Sequence, residues 1–202
     1  MFVQIIQGRV SDEAEAKARL DQWVQELAPG ATGWLGSTAG VTDEGELIIA
    51  ARFESEQAAR RNSDRAEQDA WWTQSAKLFR DEPRFKDSRD VVVDLIGDPN
   101  DAGFVQVIQG RSNNPERARE LWAQDSEAWA KLRPDIIGNV EVDHDDGEYT
   151  LVLYFTTEAA AREGERKELP AALQAQMAEM QSLEAGEQRF LDLRRPWIHS
   201  AS

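Results

Sequence analysis

Apolar and polar residues alternate along a short segment at the start of the chain, and nearly the same segment returns later. FVQIIQGR occupies residues 2–9 and FVQVIQGR occupies residues 104–111. The shift of 102 positions that superposes them also aligns glycines and phenylalanines further along, which indicates an internal duplication. The turn-forming segment GDPNDAG separates the copies. We therefore predict repeat 1 over residues 1–96, a linker over 97–103 and repeat 2 over 104–202.

Within each repeat the hydrophobic pattern predicts the order strand, helix, strand, strand, helix, strand. After the first strand, apolar residues recur at helical spacing from Leu20 to Leu27, and Ser11 is placed to cap this helix. Ser55 and Thr157 are placed to cap the second helix of each repeat, and Asn114-Pro115 starts the first helix of repeat 2. The next two strands are joined by a short turn that ends in glycine, which supplies the positive φ of tight hairpins. VVVDL (residues 91–95) and RFLDL (residues 189–193) are predicted to be the fourth strands.

The order βαββαβ is that of the ferredoxin-like fold, in which two helices cover one face of a four-stranded antiparallel sheet. Here Phe2 and Ile6 point to one face of the first strand while Val3 and Ile5 point to the other, so both faces are apolar. Exposing one of them would cost about 1.5–3 kcal/mol per large side chain. We therefore predict an α+β protein whose two ferredoxin-like units pack sheet to sheet as an internal pseudo-dimer. We expect a monomer in solution and leave further dimerisation open.

Composition restricts the partners and the compartment. The 202 residues include 23 Lys and Arg against 38 Asp and Glu, which gives a formal net charge of −15. This charge repels nucleic acids and anionic lipid surfaces, so we expect neither as a partner. Cysteine is absent and the first residues lack the pattern of a signal peptide, so we expect a cytoplasmic protein.

The repeated βαββαβ unit that opens with FVQIIQG resembles the antibiotic-biosynthesis-monooxygenase (ABM)-like proteins of the dimeric α+β barrel superfamily. The segment FESEQAARRNSDRAEQDAWW, residues 53–72, is similar to the second-helix region of tandem ABM-like proteins. The superfamily includes cofactor-free oxygenases of phenolic or anthrone-type substrates, haem-handling enzymes, isomerases and proteins without demonstrated activity. The resemblance implies the fold, and it implies a ligand site between the sheet and the helices of one unit.

The two histidines bear on the cofactor. The haem-handling branch uses a histidine from the helical layer, whereas His144 lies in a predicted hairpin turn and His199 lies near the end of the sequence. The acidic run at residues 142–148 offers oxygen and nitrogen ligands for a metal, but repeat 1 has Thr42 in place of His144, and a solvated turn explains both copies. We therefore expect neither a cofactor nor a metal.

Differences between the repeats point to a ligand site in repeat 1. Trp71 and Trp72 have no aromatic counterparts in repeat 2, and the third strand carries two alanines followed by Arg52 where repeat 2 has larger side chains. Small strand residues that face large helical aromatics leave room for a ligand, which Arg52 or Asn62 would orient. We predict that Trp34, Arg52, Asn62, Trp71 and Trp72 bind this ligand. The alternative is that the tryptophans fill the space themselves, as they do in many cores.

The reaction is less defined than the fold. Cofactor-free oxygenation needs a base that deprotonates the substrate and donors that hold the resulting anion, and the sequence offers no evident base, so the catalytic residues stay unassigned. Two functions remain open. The chain is either a cofactor-independent monooxygenase that acts on a small aromatic substrate of the quinol or anthrone type, or a non-catalytic small-ligand-binding or stress-associated protein.

Overall fold

The computed structural model describes residues 1–201 and divides the chain into two compact units. The first unit contains Met1–Val91 together with the chain from Leu193 onward, and the second contains Val92–Asp192. None of the helices within the described residues has the length and apolar character required to cross a bilayer.

Ten strands and seven helices are present within residues 1–201. The strands are β1 (Phe2–Arg9), β2 (Trp34–Val41), β3 (Glu46–Phe53), β4 (Arg84–Ser88), β5 (Asp90–Leu95), β6 (Phe104–Arg111), β7 (Ile136–Asp143), β8 (Glu148–Phe155), β9 (Arg189–Leu193) and β10 (Trp197–Ser200). The helices are α1 (Glu13–Glu26), α2 (Glu56–Ser63), α3 (Ala66–Ser75), α4 (Pro115–Ala123), α5 (Ser126–Leu132), α6 (Glu158–Glu165) and α7 (Ala171–Ser182).

Each unit contains one five-stranded sheet. The strand order is β10-β2-β3-β1-β4 in the first sheet and β5-β7-β8-β6-β9 in the second. The central pairs are antiparallel, with Phe2 opposite Phe53 in the first sheet and Phe104 opposite Phe155 in the second. The hairpin glycines Gly45 and Gly147 have φ values of +78° and +75°, as the sequence predicts. The α+β class with two ferredoxin-like halves is thus confirmed.

Both faces of the first sheet are buried, in agreement with its doubly apolar pattern. Phe2 and Phe53 pack against Trp23 of α1 on the helix-covered face. On the opposite face, Val3 and Ile5 are 0% and 1% exposed. The unbroken apolar character of these strands therefore reflects burial on two sides.

The prediction that VVVDL is the fourth strand of the repeat 1 sheet is wrong. VVVDL forms part of β5 and lies in the second sheet, whereas β4 pairs with β1 at the edge of the first. The sequence of β4, RFKDS, matches RFLDL of β9, so these are the equivalent strands of the two repeats. Because the one large apolar side chain of β4, Phe85, is 46% exposed, this strand lacks the apolar pattern that marks the others.

The compact units therefore end at positions other than the predicted boundaries at residues 96 and 104. The strand that ends repeat 1, β5, joins the second sheet, and the strand that ends the chain, β10, joins the first. Since β10 has only four residues, its pattern is too short to be distinguished from a tail.

The side chains predicted to cap helices do so in all but one case. Ser55 accepts a hydrogen bond from the backbone N–H of Ala58, and Thr157 accepts one from that of Ala160, so both cap their helices as predicted. The prediction that Ser11 caps α1 is wrong. Asp12 accepts from the N–H of Glu15 at 2.9 Å and is the cap. The Ser11 hydroxyl instead donates to the carbonyl oxygen of Leu78.

Candidate functional site

Four of the five predicted ligand residues line one cavity in the first unit. Trp34 lies on β2, Asn62 on α2, and Trp71 and Trp72 on α3, and all four border a space between the first sheet and its helices. The cavity has a volume of about 60 Å³. The surrounding aromatic side chains therefore leave only a small space, and a large ligand does not fit without movement of a side chain.

Arg52, the fifth predicted residue, lies on the other face of the sheet. It is opposite Val3 in the pairing of β1 with β3, whereas its neighbour Ala51 lines the cavity. Because successive strand side chains point to opposite faces, Arg52 and Ala51 cannot both border the same space. Arg52 is 7% exposed, and its Nε has no hydrogen-bond partner within residues 1–201.

Four tryptophans of the first unit, Trp23, Trp34, Trp71 and Trp72, contact one another. The ring centroids of Trp23 and Trp34 are 5.1 Å apart, and those of Trp71 and Trp72 are 6.3 Å apart. The indole N–H of Trp23 donates to Gln68 Oε1 at 2.6 Å, and that of Trp71 donates to a backbone carbonyl. No Asp, Glu, Lys, Arg or His belongs to the described lining of this cavity. It therefore offers aromatic walls and neutral polar groups, and no acid or base.

A larger cavity of about 290 Å³ lies on the helix-covered face of the second sheet, where the sequence predicted no site. Strands β6, β7 and β8 form its floor, and α4, α7 and the segment that leads into β9 form its walls. Its apolar lining residues are Ile108, Pro115, Ala118, Trp122, Leu151, Met177, Met180 and Phe190. Its polar lining residues are Ser112, Glu141, Asp143, Tyr149, Gln181, Glu184 and Gln188.

Tyr149, Glu184 and Gln188 form a hydrogen-bonded group in this lining. The Tyr149 hydroxyl donates to Glu184 Oε1 at 2.8 Å, and Gln188 Nε2 donates to the Tyr149 oxygen at 2.6 Å. Gln188 Nε2 also lies 3.2 Å from Glu184 Oε1. The second carboxylate oxygen of Glu184, Oε2, is buried and has no hydrogen-bond partner within residues 1–201. This oxygen is enclosed by neighbouring protein atoms, so a local movement of side chains is needed before a ligand can reach it.

The environment holds the Tyr149 hydroxyl in its protonated form. Burial raises the pKa of Tyr149 above its ordinary value, and the hydrogen bond to Glu184 and the negative charges of Glu184 and Glu141 raise it further. The hydrogen bond from Gln188 lowers this pKa and offsets only part of the increase. Tyr149 is thus a hydrogen-bond donor throughout the neutral range.

Two further carboxylates lie on β7 along the same cavity. Glu141 is 8% exposed, and the Asp143 carboxylate accepts a charge-assisted hydrogen bond from Arg119 of α4. Within residues 1–201, no group of three or more His, Cys, Asp or Glu side chains has an arrangement that could hold a metal ion.

A comparison of the two repeats could have revealed this cavity. At the shift of 102 positions, Ala39 and Val41 of repeat 1 become Glu141 and Asp143, and Leu47 becomes Tyr149. These positions are apolar in repeat 1 because they face its helices, and the same positions face the helices in repeat 2. Acidic and phenolic side chains at helix-facing positions of one repeat are the signal that the sequence reasoning missed.

Fold and cavities together define an α+β protein with two ferredoxin-like halves, each with a space between its sheet and its helices. A candidate monooxygenase from Fusobacterium nucleatum has the same fold, with a TM-score of 0.79 and 12% identity over 100% of this chain and 94% of that one. A candidate monooxygenase from Lactobacillus acidophilus gives a TM-score of 0.74 and 11% identity over 98% of both chains. An anthrone oxidase-like protein gives a TM-score of 0.70 and 9% identity over 100% of this chain and 91% of that one.

These likenesses concern the fold, since the identities are low. The predicted resemblance to monooxygenase-like ferredoxin-fold proteins is confirmed at that level. No family model and no curated protein matches the sequence.

Proposed function

We propose that the chain is a cofactor-independent monooxygenase and that its substrate, a small hydroxyaromatic compound of the quinol or anthrone type, binds in the cavity of the second unit. The observation that carries this proposal is Glu184, a carboxylate that lines a cavity with largely apolar walls and has one buried oxygen without a hydrogen-bond partner within residues 1–201. The 290 Å³ of this cavity suits an aromatic substrate better than the 60 Å³ of the first-unit cavity.

Deprotonation of the substrate is the step assigned to Glu184. A small movement of the surrounding side chains exposes its Oε2, which accepts the proton of an aromatic hydroxyl group and leaves an electron-rich anion. For an anthrone-type substrate the enol form supplies this hydroxyl. The ring carbon then gives electrons to O₂ and forms a C–O bond, and the O–O bond breaks. The methylene group becomes a carbonyl, the second oxygen leaves as water with both hydrogens, and four electrons pass from the substrate to O₂.

Tyr149 and Gln188 position this base. The Tyr149 hydroxyl occupies Glu184 Oε1, so the carboxylate is fixed in one orientation with Oε2 as the proton acceptor. Gln188 donates to both members of the pair and holds them together. A base whose orientation is fixed loses less freedom when the substrate binds.

Oxygen uptake tests the proposal. Purified protein is incubated aerobically with panels of quinols and anthrones, and O₂ consumption is followed together with product formation. Glu184→Gln removes the base at constant size, so we expect kcat to fall by about 100-fold or more. Glu187→Gln changes an exposed carboxylate that does not line the cavity and should leave kcat unchanged. Full activity in Glu184→Gln, or no uptake with any compound, contradicts the proposal.

The second candidate function is binding without chemistry, and the first-unit cavity favours it. Trp34, Asn62, Trp71 and Trp72 surround a space without an ionisable lining group, which suits a small single-ring ligand held between indoles. A small molecule that co-purifies in native mass spectra, is lost in Asn62→Ala and is not turned over supports this function.

The cytoplasmic location expected from the absence of cysteine stays a prediction.

A further inference from the structure

The cavity of the second unit corresponds to a filled region of the first unit. The backbone bridge between Val10 and Phe79 in the first unit has its counterpart in the bridge between Ser112 and Glu184 in the second. Phe79 and Glu184 are therefore equivalent, at a shift of 105 positions (184 − 79 = 105). The starts of α3 and α7 are the same distance apart (171 − 66 = 105). At this shift the counterparts of Trp72, Phe79 and Phe85 are Met177, Glu184 and Phe190.

In the first unit an indole occupies the region. The ring centroid of Trp72 lies 6.2 Å from that of Phe79 and 5.2 Å from that of Phe85. The contact with Phe85 is edge to face, an arrangement in which aromatic rings attract each other. The same indole packs on the apolar cluster that includes Leu47 and Ile49. A side chain with two fused rings thus fills this part of the space between the first sheet and α3.

In the second unit the helix supplies no aromatic side chain at this position. Met177 stands where Trp72 stands in the first unit, and both Met177 and Phe190 line the cavity of about 290 Å³. Phe190 is 56% exposed, and none of the aromatic ring pairs within residues 1–201 includes it. Phe190 therefore lacks the edge-to-face partner that Phe85 has. A large exposed apolar side chain beside a cavity is typical of a ligand site.

We propose that a ligand with two fused aromatic rings, the size of an indole, takes the place in the second unit that the Trp72 side chain takes in the first. One of its rings packs against Phe190 as the indole packs against Phe85. The counterpart of Phe79 is Glu184, so a ring in this place lies next to the proposed base. The inference rests on the proposed function, since it uses the same cavity, and it narrows the substrate to hydroxyaromatic compounds with two fused rings.

Met177 and the size of the cavity determine this ring number. Methionine is unbranched and has three rotatable bonds, so Met177 can move aside for a ring and pack against it. A volume of about 290 Å³ lies at the lower limit of small-molecule pockets, about 300 Å³. Two rings therefore use the space that is present, and a third ring extends beyond it.

Three probes with the same hydroxyl group and a different number of fused rings test the inference. Phenol, 2-naphthol and 2-hydroxyanthracene have one, two and three rings. Their dissociation constants for the full chain are measured by calorimetric titration. We expect 2-naphthol to bind at least about tenfold more tightly than phenol, because the second ring is buried against Phe190. The third ring should give no further gain in affinity.

Variants of the two lining residues locate the rings. Met177→Trp introduces the side chain of repeat 1 and fills the site, so we expect the affinity for 2-naphthol to fall at least about tenfold. Ala175→Trp is the matched control, since it adds the same side chain at an exposed position of α7 outside the cavity lining and should leave this affinity unchanged. Phe190→Ala removes the ring contact and should weaken 2-naphthol binding about three- to tenfold.

The outcomes separate this inference from the proposed function. Equal affinities for phenol and 2-naphthol, a further tenfold gain with the third ring, or unchanged 2-naphthol affinity in either lining variant overturns the inference and leaves the cavity as a hydroxyaromatic site. Binding of no probe overturns both proposals. Ring-selective binding without oxygen uptake supports the inference and contradicts the monooxygenase. If circular dichroism shows that Met177→Trp does not fold, Phe190→Ala decides, because it truncates an exposed side chain.

Discussion

At the scale of single residues, the two oxygens of Glu184 have different surroundings. Oε1 accepts hydrogen bonds from Tyr149 and Gln188, whereas Oε2 is buried without a partner within residues 1–201. Buried polar atoms without partners are rare in folded proteins because each costs about 1–3 kcal/mol. Glu184 also lines the cavity, so a small local movement of the surrounding side chains would bring this oxygen to a ligand.

Gly110 allows the side chains of Tyr149 and Glu184 to approach β6 closely. A Cβ at this position would lie 2.6 Å from the Tyr149 oxygen and 3.0 Å from Glu184 Oε2. Gly110→Ala therefore displaces the base, and we expect substrate-dependent oxygen uptake to fall by about tenfold or more. The added methyl group should lower the free energy of unfolding by about 1–3 kcal/mol in urea titrations.

Gly8→Ala is the matched control, since it is the same position in repeat 1. Its Cβ would lie 2.8 Å from the side chain of Phe79 in the first unit. We expect a similar loss of stability with unchanged oxygen uptake. Equal loss of activity in both variants would assign the effect to general destabilisation.

The raised pKa of Tyr149 predicts how stability changes at alkaline pH. An unfolded tyrosine loses its proton near pH 10, whereas the folded one keeps it to higher pH. Above about pH 10 the unfolded state binds fewer protons than the folded state, so the free energy of unfolding falls as pH rises. The stability is fully present below this pH and declines by at most about 1.4 kcal/mol per pH unit.

Tyr149→Phe isolates this contribution. Urea unfolding of the variant and of the unaltered chain is compared from pH 8 to pH 11. The difference between the two should be constant up to about pH 10 and shrink above it. A difference that does not change with pH would mean that Tyr149 ionises like a solvated tyrosine.

The residues singled out from the sequence include part of the lining of the first-unit cavity and none of the lining of the second-unit cavity. Trp34, Asn62, Trp71 and Trp72 stand out because they are large or polar and lack counterparts, and they do converge on one cavity. Arg52 stood out equally, but strand pairing places it on the opposite face. Which face a strand residue occupies depends on the register of its neighbours, which a single sequence specifies only where the pattern alternates.

At the scale of elements, β10 contributes to the first unit out of proportion to its length. Trp197 is 5% exposed and belongs to the apolar cluster that includes Ile6, Leu47 and Ile49. It is also opposite Ala39 in the pairing of β10 with β2. The small alanine leaves room beside the indole, so this short strand fills part of the core in addition to extending the sheet.

Trp197→Ala should therefore destabilise the first unit. We expect a loss of about 3–5 kcal/mol, the usual cost of removing a buried tryptophan. Hydrogen exchange followed by mass spectrometry should show faster exchange in β1–β3 than in the unaltered chain. Ile96→Ala, which truncates a side chain that is 65% exposed, is the control and should change stability little. Unchanged exchange in β1–β3 would show that β10 is dispensable there.

Helices were easier to predict than edge strands. Ser55, Thr157 and the Asn114-Pro115 pair mark helix starts because capping is a local interaction between neighbours in sequence. The strands β4 and β10 are held by partners far away in the sequence, and β4 is mostly polar. Their existence depends on hydrogen bonds to β1 and β2, which leave no mark on a hydrophobic pattern.

At the scale of the whole molecule, the duplication is the feature that the sequence specifies best. Two copies of one strand pattern predicted two ferredoxin-like halves, and the structure contains both. The sequence pattern did not indicate that the ends of the repeats exchange sheets, since β5 and β10 each pair within the sheet of the other repeat. How one sheet packs on the other stays a prediction of the doubly apolar strands.

The same doubly apolar pattern predicts the state of the chain in solution. Both faces of the first sheet are buried within a single chain, so no second copy is needed to cover them. We expect a monomer of 22.7 kDa in sedimentation velocity at micromolar concentration. A species of twice this mass that persists on dilution contradicts the prediction.

The exchange of strand ends has a consequence for biosynthesis. Phe53 ends β3, and Trp197, which begins β10, is synthesised 144 residues later (197 − 53 = 144). At roughly 5–20 residues per second the ribosome needs about 7–30 s to cover this distance. During that interval the edge of β2 that later pairs with β10 has no partner. Chaperones can bind this edge of the nascent chain, or another chain can pair with it.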